Sequence, residues 1–347
     1  MASIAFIICQ YGNVILNCTT LNLQSCKQAH PMTLVQPMYL DQINSLKKEL
    51  HAIILAHNYQ IPEVQDIADF IGDSLALSRE AAKTDADIIV FCGVHFMAET
   101  ASILCPEKTV LIPDLDAGCS LASTINSYEL QKWKKEHPHA VVVSYVNTSA
   151  EVKALSDYCC TSSNAVKVVN SIPKDTEILF LPDMFLGSYV GEVTGRKNLY
   201  VWPGECHVHA GITTDDINNI FQKYNHAEFM VHPECGCTSS MLYGMACGDI
   251  TKKAHILSTE GMMQHAKNSD SSQFVVATET GILYRMKKEN PDKKFIPVNE
   301  NAVCKYMKKI TLEKVVDSLV HKQYEVKVPK HLADSARTAI ERMLKIS

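Results

Sequence analysis

The sequence predicts an α/β protein of three similar αβα domains, with parallel sheets arranged about a pseudo-threefold axis. Two observations lead to this prediction. Short apolar runs of strand type alternate with helix-compatible stretches, which is typical of βαβ units. Three segments also repeat one order of features, each starting with a strand and ending at a cysteine: 53–119, 141–206 and 229–304.

The first segment illustrates the alternation. Buried strands are expected at 53–56, 88–91 and 110–112, where apolar residues run without interruption. Helices are expected over 62–70 and 97–104, between these strands. Because each strand is followed by a helix, the strands are predicted to pair in parallel.

The repeat continues inside each segment, where a polar cluster follows the opening strand and a hydroxyl follows farther along. The paired positions are His57 with Ser74, Tyr145 with Ser162, and His232 with Thr259. The separation is 17 residues in the first two units and 27 in the third. The longer separation indicates an insertion in the third unit, near residues 237–250.

Each hydroxyl is followed by a cysteine at a nearly constant distance. The separations to Cys119, Cys206 and Cys304 are 45, 44 and 45 residues. Sites in open parallel sheets gather at the carboxyl ends of the strands. Three units that face one another would therefore bring one thiolate, one hydroxyl and one set of acid–base groups each into a central cavity.

The repeat also predicts domain boundaries. We expect an extension at 1–37, αβα domains at 38–121, 122–208 and 209–310, and a C-terminal helical segment at 311–347 that packs back on the body.

The extension carries its first charge only at Lys27 and lacks the basic start and cleavage site of a signal peptide. We interpret it as poorly ordered, or as a start codon assigned too early, with Met32 or Met38 as the first residue.

Composition narrows the function classes. Apolar residues make up 46% of the 347 residues, which permits a large core, and the net charge of −5 gives no indication of a nucleic-acid partner. No run of about 18 uncharged apolar residues is present, so no membrane span is expected. Thirteen cysteines, an odd number with irregular spacing, argue against a disulfide framework and favour a reducing cytoplasm.

Three thiolates, one per unit, favour an iron–sulfur cluster with one iron that no cysteine holds. Zinc is the alternative, but structural zinc takes four ligands, often at Cys-x2-Cys spacing. Here the cysteines are 87 and 98 residues apart. Cys235 and Cys237, in the motif ECGC, could be metal ligands or a redox pair, but they have no equivalents in the other units and are interpreted as structural. Cys159 and Cys160 lie in a helix-like stretch and are interpreted as structural too.

Other side chains that follow the strands suit proton transfer or anion binding. The candidates for proton transfer are His57, Tyr59, Tyr145, His232 and Glu234. The three hydroxyls precede helix-compatible stretches, where they could bind carboxylate or phosphate. An ordinary N-cap is the alternative for each hydroxyl. No Gly-x-Gly-x-x-Gly or Walker loop is present, so a nucleotide site is not expected.

At these positions the sequence resembles the quinolinate synthase family over about residues 39–319. The matching motifs are AHNYQ at 56–60, GDS at 72–74, GCS at 118–120, YVNT at 145–148, PGECHVH at 203–209, HPE at 232–234, ST at 258–259 and ENAVC at 300–304. Their order and spacing fit throughout. The family fold, three αβα domains about a pseudo-threefold axis, agrees with the repeat.

The resemblance implies an enzyme that condenses iminosuccinate with dihydroxyacetone phosphate in a transferase/dehydratase-type reaction. The products are quinolinate, phosphate and water, and the pathway is de novo NAD biosynthesis. It implies one oxygen-sensitive [4Fe-4S] cluster per chain, held by Cys119, Cys206 and Cys304, with an open iron as Lewis acid. An L-aspartate oxidase or dehydrogenase is the implied functional partner.

The resemblance also implies residue roles. Proton transfer is implied for Tyr59, Tyr145, His232 and Glu234. Substrate binding is implied for His57, Ser74, Tyr145, Val146, Asn147, Ser162, His232, Pro233, Glu234 and Thr259. The sequence departs from the family in a longer stretch at 235–257, in Lys305 where proline is expected, and in lacking a Cys-x-x-Cys pair near the last ligand.

Two other functional interpretations of the sequence remain open at this point. Hydroxymethylbutenyl diphosphate reductases and diphthamide synthesis proteins also place one cysteine in each of three units, so another iron–sulfur enzyme on this plan is an alternative. A non-catalytic metal-binding or redox-sensing protein is the second. A sensor needs the thiolates but not the acid–base residues at the same strand ends.

Overall fold

The computed structural model describes residues 32–224, 226–239, 241 and 254–346. Most of the predicted extension and most of the predicted insertion near 237–250 lie outside these residues. Tyr39–Ser347 form one compact unit, to which the description below applies. The first helix, α1, spans Met32–Glu49 and so begins within the stretch predicted to be a poorly ordered extension.

The first sheet and its helices follow α1. The elements are β1 (Ala52–His57), α2 (Pro62–Ile67), β2 (Phe70–Gly72), α3 (Ser74–Lys83), β3 (Ile88–Cys92), α4 (His95–Leu104) and β4 (Thr109–Leu111).

The second unit repeats this order after a short 3₁₀ turn at Ala122–Thr124. Its elements are α5 (Ser127–Glu136), β5 (Val141–Tyr145), α6 (Ala150–Ala154), β6 (Tyr158–Cys160), α7 (Ala165–Ser171), β7 (Ile178–Leu181), α8 (Met184–Thr194) and β8 (Leu199–Val201).

The third unit and the C-terminal segment complete the chain. The elements are α9 (His207–Ala210), α10 (Thr214–Lys223), β9 (Glu228–Val231), β10 (Ala254–Ile256), α11 (Thr259–Asn268), β11 (Gln273–Ala277), α12 (Ile282–Glu289), β12 (Lys294–Pro297), a 3₁₀ turn (Met307–Lys309), α13 (Leu312–His321) and α14 (Lys330–Lys345).

The three sheets have the same topology. Their strand orders are β2-β1-β3-β4, β6-β5-β7-β8 and β10-β9-β11-β12, and the ladders are parallel throughout. The opening strand of each unit is therefore central, flanked by its successor on one side and by the third strand on the other. This confirms the predicted α/β fold of three similar αβα domains.

Each unit contains a short second strand that the sequence did not reveal. The expected helix at 62–70 ends at Ile67, and Phe70–Gly72 form an edge strand. Cys159 and Cys160 lie in strand β6, so their assignment to a helix was wrong. Strands of three residues at a sheet edge are too short to show an alternating pattern, which explains the error.

The last helix, α14, packs on the second unit. Its buried residues recur three or four positions apart on one face: Ala333, Ala336, Ala339, Ile340 and Met343. The side-chain amide of Asn164 donates hydrogen bonds to the carbonyls of Met343 and Ile346, at 3.0 and 2.7 Å. An apolar stripe and capped terminal carbonyls together hold this helix against the body.

We expect Ile340→Ala to lower the free energy of unfolding by about 2–5 kcal/mol, because it leaves a cavity at a fully buried position. The neighbouring exposed Glu341→Ala is the control and should change it by less than about 0.5 kcal/mol. Urea unfolding of both variants measures the difference. Equal effects would mean that α14 contributes little to the core.

Candidate active site at the meeting point of three sheets

A cavity with about 680 Å³ of space between its walls, including its open mouth, lies where the carboxyl ends of the three sheets meet. All three units contribute to its lining.

The structure brings together twelve of the fourteen residues that the sequence singled out. Val146 and Pro233 are buried and are not among the lining residues. The predicted residues that line the cavity are His57, Tyr59, Ser74, Cys119, Tyr145, Asn147, Ser162, Cys206, His232, Glu234, Thr259 and Cys304.

Two of the three hydroxyls stand at helix starts without acting as the caps. Asp73 caps α3 by accepting the Ala76 amide at 2.9 Å, and Ser258 caps α11 by accepting the Gly261 amide at 3.1 Å. Ser74 and Thr259, one residue later, line the cavity. The N-cap explanation therefore belongs to Asp73 and Ser258, the residues directly before them.

The Asp73 carboxylate also accepts a hydrogen bond from the Ser163 hydroxyl of the second unit, at 2.6 Å. Asp73 lines the cavity but was not predicted. The sequence could have indicated the capping role of Asp73, because aspartate directly before a helix is a common N-cap.

The three repeat cysteines are half-buried, and backbone amides point at two of their sulfurs. The amides of Leu121 and Ala122 approach Cys119, and those of Tyr306 and Met307 approach Cys304. Burial, with the charges of Cys304 and Glu234 adding to it, raises the pKa of the Cys119 thiol to about 12. Burial also raises the pKa values of Cys206 and Cys304.

These features fit an iron–sulfur cluster. All three thiols line the one cavity, where the charge of Cys304 raises the pKa of Cys119 and the charge of Cys119 raises the pKa of Cys206. Amide donors at thiolate sulfur are typical of cluster sites, and a bound metal favours the thiolate that burial disfavours. Among the described lining residues no fourth cysteine is present.

Two buried carboxylates hold the backbone of the cysteine loops, and sequence reasoning missed both. Glu279, directly after β11, accepts the Cys304 amide at 3.0 Å and lies 2.9 Å from the Lys308 ammonium. Asp183, just after β7, accepts the Leu186 amide at 2.7 Å and also the Cys206 amide. Both follow the third strand of their units, a position the repeat could have indicated.

Glu234 is a fully enclosed carboxylate between two partners. The Tyr145 hydroxyl donates a short hydrogen bond to one carboxylate oxygen, and Nδ1 of His209 lies 3.1 Å from the other. Burial alone would raise the pKa of Glu234, but His209 and His232 outweigh it and lower the pKa. Burial and the charge of Glu234 raise the pKa of Tyr145 well above its usual value.

His209 extends this arrangement toward Tyr59. Its Nε2 lies 2.8 Å from the Thr278 hydroxyl, which is 2.6 Å from the Tyr59 hydroxyl. Burial opposes protonation of His209, but Cys206 and Glu234 overcome it and raise the pKa to about 10. Tyr59 is therefore connected through Thr278 to His209, whose Nδ1 lies beside the carboxylate that Tyr145 contacts directly.

His57 and His232 share a backbone arrangement that determines their tautomers. Nδ1 of His57 accepts the Tyr59 amide at 3.2 Å, and Nδ1 of His232 accepts the Glu234 amide at 3.4 Å. The proton of each neutral ring is therefore on Nε2. Burial is the main cause that lowers both pKa values to about 3, so both rings are neutral near pH 7.

Cys235 and Cys237 follow this site in the sequence but are not among the lining residues. Both are fully buried in the third unit, and the Cys235 thiol donates to the Ala277 carbonyl at 3.1 Å. This geometry agrees with their interpretation as structural thiols. No helix among the described residues is long and apolar enough to cross a membrane.

Comparison with known proteins is consistent with this geometry. A sequence model of the family described as quinolinate synthetase A protein matches residues 41–345. A quinolinate synthase of Thermus thermophilus is 56% identical over 305 residues, covering 88% of this chain and 96% of that protein.

Two further relatives carry the same name. The protein of Pyrobaculum aerophilum is 53% identical over 310 residues, covering 89% of this chain and all of that protein. That of Mycobacterium tuberculosis is 56% identical over 296 residues, covering 85% of each chain. With the family model matching nearly the whole described chain, the protein belongs to the quinolinate synthetase A family.

Proposed function

We propose that the chain is a quinolinate synthase that condenses iminosuccinate with dihydroxyacetone phosphate in NAD biosynthesis. The observation that carries the proposal is the convergence of three repeat cysteines, two neutral histidines and a tyrosine–carboxylate pair on one cavity. The reaction forms quinolinate and releases phosphate and two waters. It balances without an oxidant, which suits a site built from acid–base groups.

The chain's own residues would bind the two anionic substrates. His57 and His232 each present an Nε2–H donor, and the hydroxyls of Ser74 and Thr259 stand at the starts of ten-residue helices. Helix N-termini favour carboxylate and phosphate. Because these donors are neutral, no cationic side chain has to lose its hydration when the anion binds.

Proton transfer would use the two tyrosines and Glu234. Tyr145 keeps its proton near pH 7 because its pKa is raised, and it is hydrogen-bonded to an ionised carboxylate. Tyr145 can therefore give a proton to a departing hydroxyl, while Glu234 takes one from carbon or nitrogen. Tyr59, linked through Thr278 to His209 beside Glu234, is a second donor.

Cys119, Cys206 and Cys304 would hold a [4Fe-4S] cluster. When bound, such a cluster supplies an iron with a free position, which acts as a Lewis acid toward a substrate oxygen. Asp183 and Glu279 keep the loops of Cys206 and Cys304 in place from behind.

The proposed substrates and cofactor point to a supplying enzyme and to a cellular compartment. An imine of a dicarboxylic acid hydrolyses in water, so a supplying enzyme of the L-aspartate oxidase or dehydrogenase type is the proposed partner. Reduced thiols and an oxygen-sensitive cluster suit the cytoplasm.

Anaerobic, cluster-loaded protein given iminosuccinate and dihydroxyacetone phosphate should form quinolinate, detected by chromatography. No quinolinate from protein with a full cluster would refute the proposal. Reduction of hydroxymethylbutenyl diphosphate by the same protein would favour the alternative enzyme class.

Replacing any one of Cys119, Cys206 or Cys304 with alanine should abolish the cluster absorbance and the activity, since each unit offers one ligand. Iron and sulfide analysis after anaerobic purification measures the outcome. The control is Cys159→Ala, a buried thiol in strand β6 that is not among the lining residues and should keep the cluster. A full cluster in any of the three ligand variants would contradict the assignment.

Glu234→Gln should lower kcat by about 10²–10⁴-fold, with KM changed less, because a neutral amide replaces the carboxylate proposed as the base, while its carbonyl oxygen can still accept from the Tyr145 hydroxyl. Cluster absorbance should be unchanged, which separates this effect from ligand loss. Glu177→Gln is the matched control, since Glu177 also pairs with a histidine but at the surface. Unchanged kcat in Glu234→Gln would exclude the proposed base.

Stability of cluster-free protein should fall as pH drops below about 6.5. His57 and His232 titrate near 6.5 when unfolded and at about 3 when folded, so between these values only the unfolded chain takes up their protons. Each contributes a slope of up to about 1.4 kcal/mol per pH unit.

Urea unfolding at several pH values from 7 to 5 measures this slope. His232→Asn should reduce it, while replacing the exposed His226 with asparagine should not. A stability independent of pH over this range would mean that the two rings are not held neutral.

A further inference from the structure

A second group of potential ligands lies at the opposite end of the third sheet from the cavity. Glu228 is the first residue of β9, His255 is in the edge strand β10, and His265 is in α11. One ligand atom from each residue lies within 4.8 Å of the others. His232 and Glu234 follow the carboxyl end of β9, so this group is separate from the proposed active site.

The three side chains already form a connected set. Nε2 of His265 is 2.7 Å from a Glu228 carboxylate oxygen, and the Ser269 hydroxyl donates to the same oxygen at 3.0 Å. The rings of His255 and His265 are 4.0 Å apart between centroids. The side chains of His265 and Glu228 are 24% and 14% exposed, so the group is open to solvent on one side.

A simple ion pair explains why His265 and Glu228 lie together, but it does not explain the position of His255 beside them. No hydrogen bond to the His255 ring is found among the described residues. Two imidazolium ions at this separation repel, so at least one ring favours its neutral, metal-binding form. Burial, together with the charge of His265, lowers the pKa of His255.

The ligand chemistry matches a known class of site. Two imidazoles with one glutamate, plus water in a fourth position, form a common zinc centre. Tetrahedral zinc at 2.0–2.1 Å from each ligand needs ligand atoms about 3.3 Å apart. The 2.7 Å contact between His265 and Glu228 would therefore have to open slightly when metal binds. Ser269 would orient the carboxylate from outside, as hydroxyl partners of metal ligands do.

We propose that Glu228, His255 and His265 bind a divalent first-row transition metal of the zinc class, with water completing the coordination. The site joins edge strand β10 to α11. Because His265 lies in α11, whose first residue Thr259 lines the cavity, bound metal would also hold α11 against β9 and β10. This proposal does not depend on the reaction that the cavity catalyses.

The test uses cluster-loaded protein, stripped of loose metal with a chelator and then titrated with Zn²⁺ under anaerobic conditions. We expect one zinc per chain and a rise in the thermal midpoint, since a ligand that binds only the folded state stabilises it. Zinc-edge X-ray absorption should show nitrogen and oxygen at about 2.0–2.1 Å and no sulfur at about 2.3 Å.

His255→Ala and Glu228→Gln should each weaken zinc binding by at least about tenfold. His137→Ala is the matched control, because His137 is also 2.6 Å from a glutamate, Glu177, at similar exposure. It is not among the three-ligand groups found in the described residues, so zinc affinity should not change. Zinc–sulfur scattering, no zinc uptake, or equal affinity in His255→Ala and the control would overturn the proposal.

Discussion

The structure depends on one geometric constraint, the convergence of three thiols from distant parts of the chain. Each thiol follows the last strand of a parallel sheet, and each sheet has the same strand order. Because all strands of a parallel sheet end at one edge, loops from different strands of one unit meet there. Where three such edges face one another, short loops are enough to line a cavity between them.

Inside this cavity a second constraint operates, the cost of burying charge. Glu234 is almost entirely removed from water, and an isolated carboxylate there would be very unfavourable. Tyr145 and His209, which come from the second unit and its junction with the third, compensate it. Burial raises the pKa values of the two tyrosines and the same carboxylate adds to this effect, while Cys206 and Glu234 together raise the pKa of His209.

The three units share one strand order, but the side chains that support their cysteine loops differ. Carboxylates after the third strand support the ligand loops of the second and third units, Asp183 and Glu279. In the first unit the corresponding stretch uses a backbone contact, in which the His95 amide donates to the Ala117 carbonyl at 2.8 Å. The three units therefore have the same strand order, but they differ in the polar side chains that they contribute.

Periodicity and spacing were enough to predict the three units, their central strands and the three cysteines, because these features repeat along the chain and repetition is visible without coordinates. The edge strands at Phe70–Gly72 and Tyr158–Cys160 were missed, since three residues carry no period. The link from Glu234 through His209 to Tyr59, the support from Glu279, and the group around His255 join residues from different elements. Such contacts arise only when sheets and helices pack, so the tertiary structure alone determined which polar side chains hydrogen-bond to one another and which support the cysteine loops from behind.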